Sequence, residues 1–251
     1  VHLAVLADAR AFVEDLLHAL QAEPGMARRA DLDDWVADLQ QRRRQEVEEI
    51  LSPATDGAPV KPQRIVRDVK ASLPRDAFVS VAGGIHSGFA NKVDVYEPGT
   101  HLKSVALGAM GSAVPYAMGA NLAFPDRLAV SLTGDGDFSM VMQDLETCVR
   151  ERIPIVVVVF NDSSFSILKV FQNAFYNGRI IGSDFSNIPF HRIAELLGAV
   201  GIRVERGEDF RPALERALAS GKPSVIDVQV DPAEIGPTGF TVQRFHAHTQ
   251  G

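Results

Sequence analysis

Cysteine is nearly absent from this chain: its 251 residues contain one, Cys148. A lone thiol rules out an intrachain disulfide framework and a cysteine-rich zinc site, and it fits a reducing, cytoplasmic setting. Long apolar runs are also missing. The strongest one, residues 153–160, is too short to span a bilayer, and the N-terminus has no basic stretch followed by an apolar one. No membrane partner is expected. Positive charge is in deficit, with 25 Lys and Arg against 32 Asp and Glu for a net charge of -7. Neutralising a nucleic-acid backbone needs clustered Lys and Arg, so no nucleic-acid partner is expected either. There is no internal repeat, no low-complexity segment, and no GxGxxG after a first strand to mark a dinucleotide site. With 46% hydrophobic and 23% charged residues, the composition is that of an ordinary globular protein rather than a disordered one.

Along the chain, residues 1–22 open with an apolar run at 1–6. A helical pattern follows from Asp8, with Phe12, Leu16, Leu17 and Leu20 on one side. This reads as a strand and a helix closing a preceding domain. Residues 23–61 read as a charged helix and a linker. In the helix, Arg42, Arg43 and Arg44 are followed at once by Glu46, Glu48 and Glu49, the mark of a solvated face. Residues 52–62 (SPATDGAPVKP) hold three prolines and a glycine and form the linker. The main domain is expected at 62–232, and 233–251 is a tail carrying His246 and His248 that reads as a loosely ordered terminus.

Within the main domain helix and strand patterns alternate. Helices are predicted near 62–73, 111–123, 138–151, 188–198 and 208–220, and strands near 77–82, 127–133, 153–160, 200–205 and 223–229. Strands such as Ile155-Val156-Val157-Val158-Val159 are apolar at every position, as expected when helices cover both sheet faces. The fold class is therefore α/β, a doubly wound, mostly parallel sheet with helices on both faces.

In such sheets ligands bind beyond the carboxyl ends of the strands, where the topology reverses. Two predicted strand ends carry suitable loops. After Thr133 comes Gly134-Asp135-Gly136-Asp137-Phe138, whose glycines allow a tight turn and whose Asp135 is a hard oxygen ligand ahead of a helix start. By itself a GDG is mostly a turn. After Phe160 comes Asn161-Asp162-Ser163-Ser164, so a neighbouring strand end offers oxygen side chains to the same crevice. A diphosphate with Mg2+, which prefers a few carboxylate or carbonyl oxygens plus ligand phosphates, suits that donor set.

The stretch from Gly134 to Asp162, GDGDFSMVMQDLETCVRERIPIVVVVFND, resembles the thiamine-diphosphate motif of the acetolactate synthase, benzoylformate decarboxylase and pyruvate oxidase family. The family motif closes on an Asn-Asn pair, and here Asp162 stands for the second Asn. By that resemblance Asp135, Asp162 and the Ser164 carbonyl hold the metal. The segment Gly108-Ala109-Met110-Gly111 resembles the family's GxMG turn, which makes Met110 the apolar wedge that bends the cofactor and Gly108 an acceptor for its aminopyrimidine. Val81-Ala82-Gly83-Gly84-Ile85-His86 resembles a strand-end loop that often reads DxGxH, with Ala82 where an Asp is expected. The resemblance thus places Gly84, His86, Gly108, Met110, Gly134, Asp135, Gly136, Asp137, Phe138, Asn161, Ser164 and Phe165 around the cofactor. Residues 165–182 resemble the mobile segment that closes over substrate, with Lys169, Phe171 and Gln172 as candidates to face it. Met110, His86 and Gln172 are the candidate catalytic residues; for His86 packing, for Phe171 core packing and for Lys169 simple exposure stand as equal alternatives.

In this family the cofactor lies between two chains, and a glutamate on a pyrimidine-binding domain activates it. No Glu in residues 1–61 has a strand-end setting of that kind. The resemblance therefore implies a partner subunit carrying the pyrimidine domain and the catalytic Glu, in a hetero-oligomer built on a dimer of such units. It equally allows a longer chain of which this is a part. The expected activity is decarboxylation of a 2-oxo acid and transfer of the enamine to an acceptor carbonyl, as in acetolactate synthase. A benzoylformate-type decarboxylase, an aldehyde lyase and a non-catalytic cofactor-binding regulatory subunit are the alternatives. FAD is compatible with the family but nothing in this chain calls for it.

Overall fold

The computed structural model describes residues 4–22 and 30–237. The chain divides into two compact units, residues 1–47 and 48–251. The tail histidines His246 and His248 lie outside the described residues.

The first unit is helical. Helix α1 (Ala9–Ala22) starts on Asp8, whose Oδ1 accepts the N–H groups of Arg10 and Ala11 at 3.0 Å each, satisfying donors left free by the first turn. Residues 4–6 form no strand, which corrects the expectation of one there; a lone extended run has no ladder partner. Helix α2 (Ala30–Leu51) carries the arginine block, and Arg42 pairs with Asp38 at 2.8 Å across an exposed i,i+4 step.

The second unit runs through α3 (Pro62–Ser72), β1 (Phe78–Val81), α4 (His86–Ala90), β2 (His101–Lys103), α5 (Ala113–Ala123) and β3 (Ala129–Gly134). It continues with α6 (Asp135–Phe138), α7 (Asp144–Arg150), β4 (Val156–Asn161), α8 (Ser166–Phe175), α9 (Phe190–Leu196), β5 (Val200–Val204), α10 (Gly207–Ala219) and β6 (Ser224–Gln229). The six strands form one sheet in the order β2-β1-β3-β4-β6-β5, and every pairing is parallel. The sheet is wholly, not mostly, parallel. One face packs Val157, Val159 and Val225 against Val114 of α5, Leu145 of α7 and Phe190 of α9. Ile65 and Val66 of α3 and Phe210 and Leu214 of α10 are buried as well, and α3 packs against α10. Each residue of β4 is buried, which accounts for its unbroken apolar run.

Pro62 opens α3 in its first turn, where a missing N–H costs nothing. The proline-rich stretch before it belongs to this unit: Val60 is fully buried, its N–H donates to the Gln229 carbonyl at 2.9 Å, and its own carbonyl accepts the Asp231 N–H at 3.0 Å. The chain thereby closes beside the carboxyl end of β6. No helix among the described residues is long and apolar enough to cross a membrane.

Candidate functional site

The strand order reverses at β1 and β3. From β1 the chain goes outward to the edge strand β2, then crosses back to β3 on the other side of β1. Connections leaving in opposite directions part there and open a crevice above the carboxyl ends. A crevice of about 270 Å³ occupies that place, lined by Gly84, His86, Gly108, Met110, Gly134, Asp135, Gly136, Asp137, Asp162, Ser164 and Phe165 among others. Most residues singled out in the sequence therefore converge, although they come from four loops.

Asp135 is 3% exposed at the end of β3. Its Oδ1 accepts the Gly136 N–H at 2.7 Å, and its Oδ2 accepts the N–H groups of Asp162 at 3.1 Å and Ser163 at 2.6 Å. One carboxylate thus joins the β3 and β4 loops. Ser163 meets it by adopting a left-handed conformation with φ of 59°, uncommon for a residue with a side chain. Burial, and then the neighbouring Asp162 charge, push the Asp135 pKa up to about 7 against the pull of its backbone donors. Burial raises Asp162 too, opposed by hydrogen bonds from Ser166 and Ser164. Asp162 Oδ1 accepts the N–H and the hydroxyl of Ser164 at 3.2 Å each, and Oδ2 accepts the Ser166 hydroxyl. Asp162 thus ties down the turn that leads into α8.

Two adjacent carboxylates in a confined crevice disfavour each other's charge and are relieved by a cation. All the candidate donors are oxygens, and among the described residues no group of three or more His, Cys, Asp and Glu side chains could hold a metal by itself, so a bound phosphate must complete the shell. This donor set fits Mg2+ with a phosphate completing the shell. The crevice lining also includes apolar side chains and bare backbone. Met110 is 39% exposed beside it, and Gly108 stands so close to Gly83 that a Cβ at residue 83 would lie 2.5 Å from the Gly108 carbonyl oxygen. His86 is buried between the glycines at 84 and 134, with its ring 5.5 Å from that of Phe160 and its Nε2 without a hydrogen-bond partner. Burial, reinforced by the charge of Lys103, lowers its pKa to about 3, so the ring is neutral.

Three sequence candidates sit elsewhere. Phe138 is fully buried in the core, edge-on to Phe190 at 5.3 Å. Asn161 is turned beneath the sheet end: its Nδ2 donates to Asp227 Oδ1 at 2.9 Å and to the Ile188 carbonyl at 3.1 Å. Gln172 is outside the crevice lining; its Nε2 donates to the Ile181 carbonyl at 2.9 Å and its Oε1 accepts the Ser183 hydroxyl at 2.9 Å. Of the other candidates on 165–182, Lys169 pairs with Asp184 at 2.7 Å and Phe171 stacks on Phe175. Residues 166–175 form helix α8. Sequence reading missed Asp231 and Glu234 at the crevice rim, where both hold Lys61 Nζ at 2.7 Å. Asp231 stands two residues past β6, and that strand end was the available signal.

Comparison with known proteins agrees with the geometry. Residues 82–228, more than half of the chain, match the family described as thiamine pyrophosphate enzyme, C-terminal TPP binding domain. The chain is 30% identical over 235 residues to the acetolactate synthase isozyme 3 large subunit of Escherichia coli, covering 92% of this chain and 40% of that protein. It is 34% identical over 189 residues to the sulfoacetaldehyde acetyltransferase of Castellaniella defragrans, covering 75% of this chain and 31% of the relative. Among solved structures, the thiamine diphosphate-dependent 4-hydroxybenzoylformate decarboxylase of Rhodococcus jostii RHA1 superposes with a TM-score of 0.65 at 31% identity, over 70% of this chain and 33% of that one. The chain therefore spans well under half the length of these relatives. A parallel sheet whose reversal point joins an aspartate pair to a methionine wall, matched over more than half its length, makes this chain a member of the thiamine-pyrophosphate enzymes, with their C-terminal cofactor-binding domain at its centre.

Proposed function

We propose that this domain holds thiamine diphosphate and Mg2+ for an enzyme that decarboxylates a 2-oxo acid and joins the remaining fragment to an acceptor carbonyl. The observation that carries the reading is one crevice lined by the buried Asp135, the half-buried Asp162 beside it, and Met110. Asp135, Asp162 and the Ser164 carbonyl would hold the metal and, through it, the diphosphate. His86, being neutral, keeps one N–H and one lone pair to offer. Met110 supplies apolar surface on which the rings can rest. Bound thiamine diphosphate supplies the carbon nucleophile and electron sink that 2-oxo acid decarboxylation requires.

Among the described residues the one glutamate lining the crevice, Glu234, is engaged by Lys61 and by Gln63 Nε2 at 2.8 Å. It is not free to exchange protons with the cofactor. The acid for that step must be a glutamate outside the described residues, on a pyrimidine-binding domain supplied by a partner subunit or by the remainder of a longer chain. Coverage of only 40% of the acetolactate synthase relative supports this reading. In a split enzyme the assembly would be a hetero-oligomer built on a dimer of such units.

The likeness to a 4-hydroxybenzoylformate decarboxylase favours a second reading, in which the fragment is released as an aldehyde. The test is product analysis with the complete enzyme, thiamine diphosphate, Mg2+ and a panel of 2-oxo acids, with and without acceptor aldehydes or ketones. Release of CO2 with a new carbon–carbon bond in the product is expected. Release of CO2 with only an aldehyde would establish the second reading, and no CO2 release from any 2-oxo acid would overturn both.

A further inference from the structure

Asp137 stands two residues past Asp135, and both of its carboxylate oxygens are engaged by donors of the protein. It is 2% exposed, and burial raises its pKa. Its Oδ2 accepts the Thr133 hydroxyl from the end of β3, and its Oδ1 accepts the backbone N–H of Gly111. Gly111 directly follows Met110 and has φ of 74°, a conformation that turns its N–H toward Asp137 and that a side chain would strain. Two residues further on, the Ala113 carbonyl accepts the hydroxyl of Ser80, a buried β1 residue, at 2.7 Å.

Before Gly111 the loop has little else to hold it. Ser112 Oγ donates to the Ala109 carbonyl at 2.8 Å and the Ala109 N–H reaches Ser104 Oγ at 3.4 Å, both bonds internal to the loop. Val105 and Leu107 are 84% and 91% exposed. The Met110 turn is thus fastened to the sheet at its trailing end, by Asp137 and Ser80. Burying a carboxylate against two neutral donors is unfavourable unless both oxygens are used, and here one oxygen meets the end of β3 and the other the turn after Met110. Serine is too short to bridge them.

We propose that Asp137 is a positioning residue: its carboxylate locks the Met110 turn to the loop that carries Asp135 and so fixes the height of the methionine wall above the diphosphate. This rests on the reading of the crevice as the thiamine diphosphate site. Asparagine at 137 would keep the bridge, with Oδ1 accepting from Gly111 and Nδ2 donating to a rotated Thr133 hydroxyl. Alanine would leave the Gly111 N–H without its partner and the Thr133 hydroxyl with only the Gly134 carbonyl at 3.5 Å.

The test compares wild type, Asp137→Ala and Asp137→Asn in the complete enzyme. Hydrogen exchange of the peptide spanning 104–112 reports the clamp directly. Calorimetry with thiamine diphosphate and Mg2+ reports binding, and exchange of the C2 proton of bound thiamine diphosphate reports alignment. In Asp137→Ala, exchange of the 104–112 peptide rises by roughly tenfold, the equivalent of one lost hydrogen bond. C2 exchange slows by a similar factor of about ten, while binding affinity changes by less than about threefold. Asp137→Asn restores both exchange rates. Protection of residues 155–160 reports folding; where Asp137→Ala loses it, Asp137→Ser is read instead, with the same expected result. Unchanged 104–112 exchange in the alanine or serine variant, or no rescue by asparagine, would overturn the clamp. Failure of the wild type to bind thiamine diphosphate would overturn the cofactor reading, and peptide exchange would still decide the clamp.

Discussion

His86 shows how far one residue's environment departs from its sequence. A histidine at a strand end is ambiguous in the sequence, and the structure resolves it as a buried neutral ring with a pKa lowered to about 3 by burial and by Lys103. Between that value and the ordinary 6.5 the unfolded chain binds the proton and the folded chain does not. Stability associated with His86 is therefore intact above pH 6.5 and is lost as pH falls toward 3, at up to about 1.4 kcal/mol per pH unit. Asp135, Asp137 and Asp162 have raised values and act in the opposite sense, favouring the fold as pH falls. The difference between wild type and His86→Gln isolates the histidine. In urea titrations without metal or cofactor, the stability of wild type relative to His86→Gln should fall from pH 6.5 to pH 4. A constant difference would mean the ring is solvated.

At the scale of elements, legibility followed chain length and polarity. Strands β3, β4 and β6 were plain because buried parallel strands leave uninterrupted apolar runs. β2 was not, because its three residues, His101, Leu102 and Lys103, have no apolar run and pair through β1 alone. The helix predicted at 138–151 is instead α6 and α7 separated by turns, since residues 135–138 already coil at the end of β3. The loops bearing Asp135 and Asp162 were legible as strand ends. Their support was not, because it joins residues far apart in sequence. Asp227, fully buried in β6, accepts from Asn161 Nδ2 at 2.9 Å and Gln229 Nε2 at 3.0 Å and meets His191 Nδ1 of α9 at 2.9 Å. Asn161 Oδ1 in turn accepts the Ser163 N–H at 3.3 Å, within the turn that wraps Asp135. Removing Asp227 takes a shared partner from side chains on three elements, although Asn161 Nδ2 keeps the Ile188 carbonyl. Asp227→Ala should cost about 2–4 kcal/mol in urea denaturation and weaken Mg2+ binding, whereas a loss below about 0.5 kcal/mol would show the network to be dispensable.

For the whole molecule, the fold gathers the proposed metal and ring-binding residues into one crevice, and among the described residues the glutamate lining it, Glu234, is engaged by Lys61 and Gln63. Asp135, Asp162, Ser164, Gly108 and Met110 line one crevice at the carboxyl ends of a single sheet, so the proposed cofactor site lies within one domain. The carboxylates of Asp135 and Asp162 line the crevice proposed for an anionic diphosphate, which makes a mediating cation the central element of the proposal. Calorimetric titration of the complete enzyme with thiamine diphosphate in the presence and absence of Mg2+, for wild type and Asp135→Ala, tests it directly. Wild type should bind only with Mg2+, and the substitution should weaken binding by about a hundredfold or more. Equal binding by Asp135→Ala, or binding by wild type that ignores Mg2+, would contradict the assignment.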